Sequence, residues 1–176
     1  IDMETEATVQ LERYSPLQQG VNGFIAATDW LGLPLTNLDG DHMMASARRS
    51  TGLSDFGDDA FVERMRFSLR VMSDAPMSAF GRAMMRQTYI KALENRLLLQ
   101  DYLSRHPEVH DVEVKRPVFV LGFPRTGTTV LQHLLCLDRD RRGLEFWELT
   151  NPVPVHEDKD EDERRRKLTT QRLLKA

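Results

Sequence analysis

Cysteine is almost absent: Cys136 is the one thiol in 176 residues. An internal disulfide is therefore excluded, and stability has to come from packing. A reducing, cytoplasmic setting is expected, with Cys136, set among the apolar residues from Val130 to Leu137, as a small core residue and not a nucleophile. An excess of positive charge is also missing. Lys and Arg number 24 against 27 Asp and Glu, a formal net charge of -3, so no global positive field exists to hold a polyanion and no nucleic-acid partner is expected. Long apolar runs are missing too. Leu97-Leu98-Leu99 and Val118-Phe119-Val120-Leu121 fall far short of the ~20 residues that cross a bilayer. The opening Ile1-Asp2-Met3-Glu4-Thr5-Glu6 is acidic and polar, unlike a secretory signal. It also lacks an initiator Met, so the start is expected to be trimmed or to lie upstream.

What is present, 40% hydrophobic and 29% charged residues, suffices for one buried core at this length. Phe61, Met65, Leu69 and Met72 recur at i, i+4, i+8 and i+11, which predicts a helix. Asp58 or Asp59 would cap it and Asp74-Ala75-Pro76 would end it. A longer helix is expected from about Ser78 to Arg105, along a stripe of Phe80, Met84, Ile90, Leu93, Leu97 and Tyr102, with Pro107 as its stop. Across residues 1 to 51 the glycines at 20, 23, 32 and 40 and Pro34 break the periodicity, so only short helices and turns are predicted there.

Near residue 115 the pattern changes. Val118-Phe119-Val120-Leu121 does not alternate, as in a strand buried on both faces. It runs into Gly122-Phe123-Pro124-Arg125-Thr126-Gly127-Thr128-Thr129 and then into a helical Val130 to Leu137. The order strand, glycine loop, helix fits the spacing G-x-x-x-x-G-x-[ST] of a phosphate-binding loop, except that Thr128 stands where a nucleotide triphosphatase has lysine. Backbone amides and the start of the following helix favour an anion in such a loop. Arg125 is the cation within it, with a planar fork of donors matched to phosphate or sulfate oxygens. Thr126, Thr128 and Thr129 add hydroxyls.

These residues, Pro117 through Leu131, resemble the 5′-phosphosulfate-binding loop of the PAPS-dependent sulfotransferases, and most of all the bacterial branch, in which arginine replaces lysine. Thr51 to Asp58, Gly81-Arg82, Glu94-Asn95-Arg96-Leu97 and Phe146-Trp147-Glu148 resemble stretches of the same branch. The resemblance implies an α/β fold with a P-loop-like parallel sheet, incomplete here, with residues 115–176 as the first part of the PAPS-binding catalytic domain and residues 1–114 as a mainly helical N-terminal subdomain. It implies that Arg125 bridges the departing phosphate and the sulfuryl group, while Thr126, Gly127, Thr128 and Thr129 bind the 5′-phosphate. The implied reaction is in-line transfer of SO₃ from 3′-phosphoadenosine 5′-phosphosulfate (PAPS) to a hydroxyl of a small-molecule acceptor, with no metal. Val130 departs from the animal pattern, where tryptophan often stacks on adenine.

A parallel sheet uses about 30 residues per βαβ unit, so the 60 residues from Pro117 to Ala176 supply about two units. The expectation is a fragment, or a chain whose partner supplies the rest, that transfers sulfate weakly or not at all by itself; a homo-oligomer is one such arrangement. His156, beside Pro152-Val153-Pro154, is the candidate acceptor-side base. His133 is expected on the helix surface or in the core. Pro107 separates His106 from His110 and argues against a shared metal. Trp147-Glu148 reads as an aromatic anchor with a solvated carboxylate, the segment Arg139 to Arg142 as a solvated turn, and the charge run after His156 as a solvated helix with acids leading and bases following. Two other readings stand beside the sulfotransferase: a P-loop kinase or nucleotide-binding protein, which Thr128 weakens, and a non-catalytic helical interaction or dimerisation module.

Overall fold

The helical periodicities become helices in a computed structural model, which describes residues 15–32, 35–123 and 125–175. Four precede the glycine loop: α1 (Pro16–Trp30), α2 (Gly40–Thr51), α3 (Ala60–Asp74) and α4 (Ala79–Arg105). A 3₁₀ turn, Pro107–Asp111, follows, and then α5 (Thr128–Leu135), α6 (Phe146–Thr150) and α7 (Lys159–Lys175). The chain divides into two compact units, Ile1–Asp101 and Tyr102–Ala176. No helix among the described residues is long and apolar enough to cross a membrane.

In the first unit the apolar stripes of α2, α3 and α4 meet. Met43 and Ala47 of α2, Met65 and Leu69 of α3, and Ile90, Leu93 and Leu97 of α4 are buried together with Leu38, Met44 and Phe56. Helix α2 begins where the Asp39 carboxylate accepts the His42 amide at 2.8 Å. It stops at Gly52, whose φ of 72° puts it in the left-handed cap conformation. A Cβ at Gly40 would lie 3.1 Å from Met65 Cε, so a larger residue there would have to displace the tip of the Met65 side chain slightly. The loop between them is held from α4: Arg96 donates from Nε to Phe56 O at 2.6 Å and from Nη2 to Asp58 O at 2.8 Å. The same guanidinium lies 4.1 Å from the centre of the Phe61 ring. The single helix over residues 16–30 is longer than the short pieces predicted from its glycines, because Gly20 and Gly23 sit in open space and cost only propensity.

The second unit departs from the predicted fold class. The α/β architecture with a parallel sheet is not formed: among the described residues every regular element is helical, and Val118 to Leu121 forms no strand. A strand exists only as a member of a ladder, because its amides and carbonyls need an adjacent strand to bond to. No other described segment pairs with this run. Phe119 and Leu121, predicted to be buried on both faces of a sheet, are 80% and 89% exposed.

The remainder of the unit is organised by α6 against α7. Thr150 Oγ1 and Thr170 Oγ1 are 3.0 Å apart, and Asn151 Nδ2 donates to Thr170 Oγ1 at 3.0 Å. Helix α7 has Asp160, Glu161 and Asp162 in its first turn, which suits its dipole. Its exposed flank carries the Arg165–Glu161 and Lys167–Glu163 pairs at i,i+4.

Candidate functional site

The glycine loop folds back on itself ahead of α5. Arg125 and Gly127 have φ of 66° and 83°, two left-handed residues flanking Thr126. For arginine that conformation costs about 1–2 kcal/mol, so the surrounding turn imposes it. A Cβ at Gly122 would lie 2.7 Å from Thr128 Cγ2 and 2.8 Å from Thr126 Oγ1. Glycine is therefore required where the loop closes over its own entry strand of chain.

The start of α5 is open. Gly127 is its N-cap and offers no side chain to bond there, and the first helical bond runs from Leu131 N to Gly127 O at 3.0 Å. The amides of Thr128, Thr129 and Val130 precede that bond and make up the donor set of the helix terminus. Thr126 behaves differently from Thr128 and Thr129: its hydroxyl donates to Phe123 O at 2.6 Å, so it offers an anion its amide and not its O–H. Arg125 is exposed beside these donors. The structure thus brings together Arg125, Thr126, Gly127, Thr128 and Thr129 in one turn of chain.

His156 lies at the entrance to α7 and is exposed. Its Nδ1 accepts the Asp158 amide at 3.2 Å, and its own amide donates to Asp162 Oδ1 at 3.2 Å. His133 is exposed on α5. His106 Nδ1 is 3.0 Å from Glu108 Oε1 and its ring stacks on Tyr102 with centres 4.3 Å apart. Among the described residues no group of three or more His, Cys, Asp and Glu could hold a metal ion.

Residues that sequence reasoning placed in solvent turn out to build the frame of this unit. Asp162 and Arg166, side chains 7% and 12% exposed, pair at 2.9 Å. Arg166 Nε also donates to Asn151 O at 2.7 Å, and its guanidinium lies 4.6 Å from the centre of the Trp147 ring. Asp162 Oδ1 accepts the amides of Val155 and His156 at 2.6 and 3.2 Å. Burial pushes the Asp162 carboxyl up, but the Arg166 guanidinium and these amides outweigh it and hold it below its ordinary value. At the start of α6, Glu145 and Glu148 form a reciprocal capping box. Glu148 also pairs with Arg142, and Trp147 Nε1 donates to Glu145 Oε2 at 2.7 Å. The amide of Glu145, ahead of the Arg142 charge, holds the Glu148 carboxyl below its ordinary value. The i,i+4 spacing of Asp162 and Arg166 was visible in the sequence, but nothing in it distinguished this pair from the exposed pairs around it.

The loop and everything after it coincide with a known pattern. Residues 117–176 match the model of the sulfotransferase family. Among solved structures, the sulfotransferase STF1 from Mycobacterium tuberculosis H37Rv is similar at 39% identity and a TM-score of 0.59, over 65% of this chain and 32% of that chain. No curated protein matches the chain at a significant level. The chain spans about a third of the length of the mycobacterial relative. Over residues 117–176 the chain is thus similar to the sulfotransferase family.

Proposed function

We propose that the chain carries the donor-binding part of a sulfotransferase that moves a sulfuryl group from PAPS to a hydroxyl of a small-molecule acceptor. In this reading residues 115–176 hold the donor and residues 1–114 form a helical part beside it in sequence. The observation that carries the proposal is the loop itself: left-handed Arg125 and Gly127, a Gly122 that tolerates no Cβ, and a helix start whose amides no side chain caps.

The amides of Thr126 to Val130 and the hydroxyls of Thr128 and Thr129 would take the 5′-phosphate, and Arg125 would face the bridging oxygen and the sulfuryl oxygens. The donor supplies SO₃ on a good leaving group. An acceptor oxygen forms the new bond to sulfur while the bond from sulfur to the bridging phosphate oxygen breaks, and that electron pair stays on 3′,5′-adenosine bisphosphate. Charge would grow on the bridging oxygen, where the Arg125 guanidinium and the loop amides would stabilise it. Holding donor and acceptor in line supplies the remaining acceleration. The acceptor proton goes to His156 Nε2. For this the ring carries its own proton on Nδ1 and releases the Asp158 amide, since a neutral imidazole has a single acceptor nitrogen.

Titration of the ¹⁵N-labelled chain with 3′,5′-adenosine bisphosphate tests the proposal. Shifts concentrated on the amides of Gly122 to Val130 are expected. Shifts of equal size with ATP and Mg²⁺ would favour a nucleotide-binding protein instead.

A further inference from the structure

Three arginines of α4, Arg82, Arg86 and Arg96, are half-buried, whereas those of α2 and α3 are exposed. Two of the three spend donors on carbonyl oxygens. Arg82 Nη2 donates to Ser73 O at 2.8 Å, and Arg96 bonds Phe56 O and Asp58 O in the loop ahead of α3. Arg86 does not. Its Nε is the one buried side-chain nitrogen or oxygen among the described residues without a hydrogen-bond partner. Among those residues none makes a hydrogen bond or an ion pair with its guanidinium.

The position of Arg86 on the helix accounts for this. Ile90, Leu93 and Leu97 follow it at i+4, i+7 and i+11, so Arg86 continues the stripe that is buried in the core of the first unit. Its aliphatic stem is drawn in along that stripe. Partners on a helix stand three or four residues away, and here those places hold Arg82, Ala83, Tyr89 and Ile90. None of them carries a carboxylate, and the Tyr89 hydroxyl is engaged by Ser68 Oγ at 2.7 Å. The first acidic residue of α4 is Glu94, at i+8, and it accepts the Ser50 hydroxyl. A buried charged donor left without an acceptor costs its full desolvation, and a bound ion is one of the few things that removes that cost.

We infer that Arg86 is the binding point of a carboxylate. The Nε–H and one Nη–H of a guanidinium lie in one plane, at the spacing of the two carboxylate oxygens. One negative charge then neutralises one guanidinium. A phosphate dianion would bring a second charge into a half-buried place, and Arg82, the cation one turn away at about 6 Å along the axis, already donates to Ser73 O. A small organic acid and an acidic side chain of a second copy both supply a carboxylate, and the test separates them. The site lies in the first unit, and it does not depend on the sulfotransferase reading of the glycine loop.

The test uses the full chain with ¹⁵N in its arginine side chains, the Arg86 Nε–Hε resonance being identified by its loss in Arg86→Lys. That resonance is first followed on dilution. Movement with protein concentration assigns the carboxylate to a second copy, and constancy assigns it to a small acid. At the lowest concentration, sodium acetate is then added at constant ionic strength, with sodium chloride and sodium phosphate in parallel. Acetate is expected to move the Arg86 resonance saturably and to leave those of Arg82 and Arg96, already bonded to carbonyls, in place. Phosphate is expected to act more weakly than acetate, and chloride not to saturate. Acetate should also raise the thermal unfolding midpoint of the unmodified chain and not that of Arg86→Met. An Arg86 resonance that acetate moves no more than chloride does overturns the inference, as does an equal response to phosphate or an equal rise of both midpoints. The resonance belongs to the unmodified chain and decides the matter even where Arg86→Met does not fold.

Discussion

Arg166 lies over the Trp147 ring, 4.6 Å from its centre, while its Nη1 holds Asp162 Oδ2 at 2.9 Å. One guanidinium thereby ties α7 to α6 and to the chain that enters α7. Because both charged partners are nearly buried, removing one leaves the other without compensation.

Arg166→Met is expected to cost about 3 kcal/mol in the second unit, from the uncompensated Asp162 charge. Arg166→Lys should recover part of it, since an ammonium keeps the charge but cannot both stack on the indole and reach Asn151 O. Urea denaturation followed by Trp147 fluorescence, in a Trp30→Phe background, measures both. Equal stability of the three proteins would refute the clamp.

The Asp162 carboxyl is held below its ordinary value, so its contribution to stability has a definite sign with pH. It is fully present above the unfolded carboxylate value of about 3.9 and is lost as pH falls through the lower folded value. Glu148 contributes with the same sign, held down first by the Glu145 amide. Subtracting the stability of Asp162→Asn from that of the unmodified chain isolates the Asp162 share. That difference should be constant near neutrality and shrink only below pH about 4.

In the first unit Leu97 is fully buried where α4 meets α2 and α3. Leu97→Ala should cost about 2–5 kcal/mol from lost burial plus the cavity left behind. Leu99→Ala, at a position 41% exposed, should cost much less. Thermal unfolding of the two variants separates them, and similar losses would mean the core is not where α4 places it.

Arg125 combines a strained backbone with the loop's cation. Arg125→Gly should relieve about 1 kcal/mol of left-handed strain while removing the charge, so the chain should become slightly more stable as its affinity for 3′,5′-adenosine bisphosphate falls. A glycine variant that is less stable than the parent would show that the Arg125 side chain holds the loop together.

Helices α3 and α4 were legible because their cores are written at helical spacing, whereas α1 and α2 lay in a stretch whose glycines and Pro34 hid any period. Met65 and Leu69, and Leu93 and Leu97, sit one turn apart and are buried as that spacing requires. The loop was legible because Gly122 and Gly127 mark backbone that side chains cannot follow. Two things were not. Val118 to Leu121 has the composition of a buried strand, but composition does not supply the neighbour that makes a strand, and the run forms none. Asp162 and Arg166 look like the other charges of α7, because a helix repeat specifies which residues share a face and not what packs on that face. Trp147 packs on Arg166, far upstream in the chain, at a separation no local pattern encodes.

In the proposed function, the turn from Gly122 to Thr129 binds phosphosulfate with Arg125 as its cation. Calorimetric titration of the chain with 3′,5′-adenosine bisphosphate, alongside an Arg125→Ala variant, tests it most directly. The prediction is saturable binding without Mg²⁺ that weakens about tenfold or more in the variant, as expected for loss of a charge-assisted bond to phosphate. Absence of binding, or binding indifferent to Arg125, would contradict it.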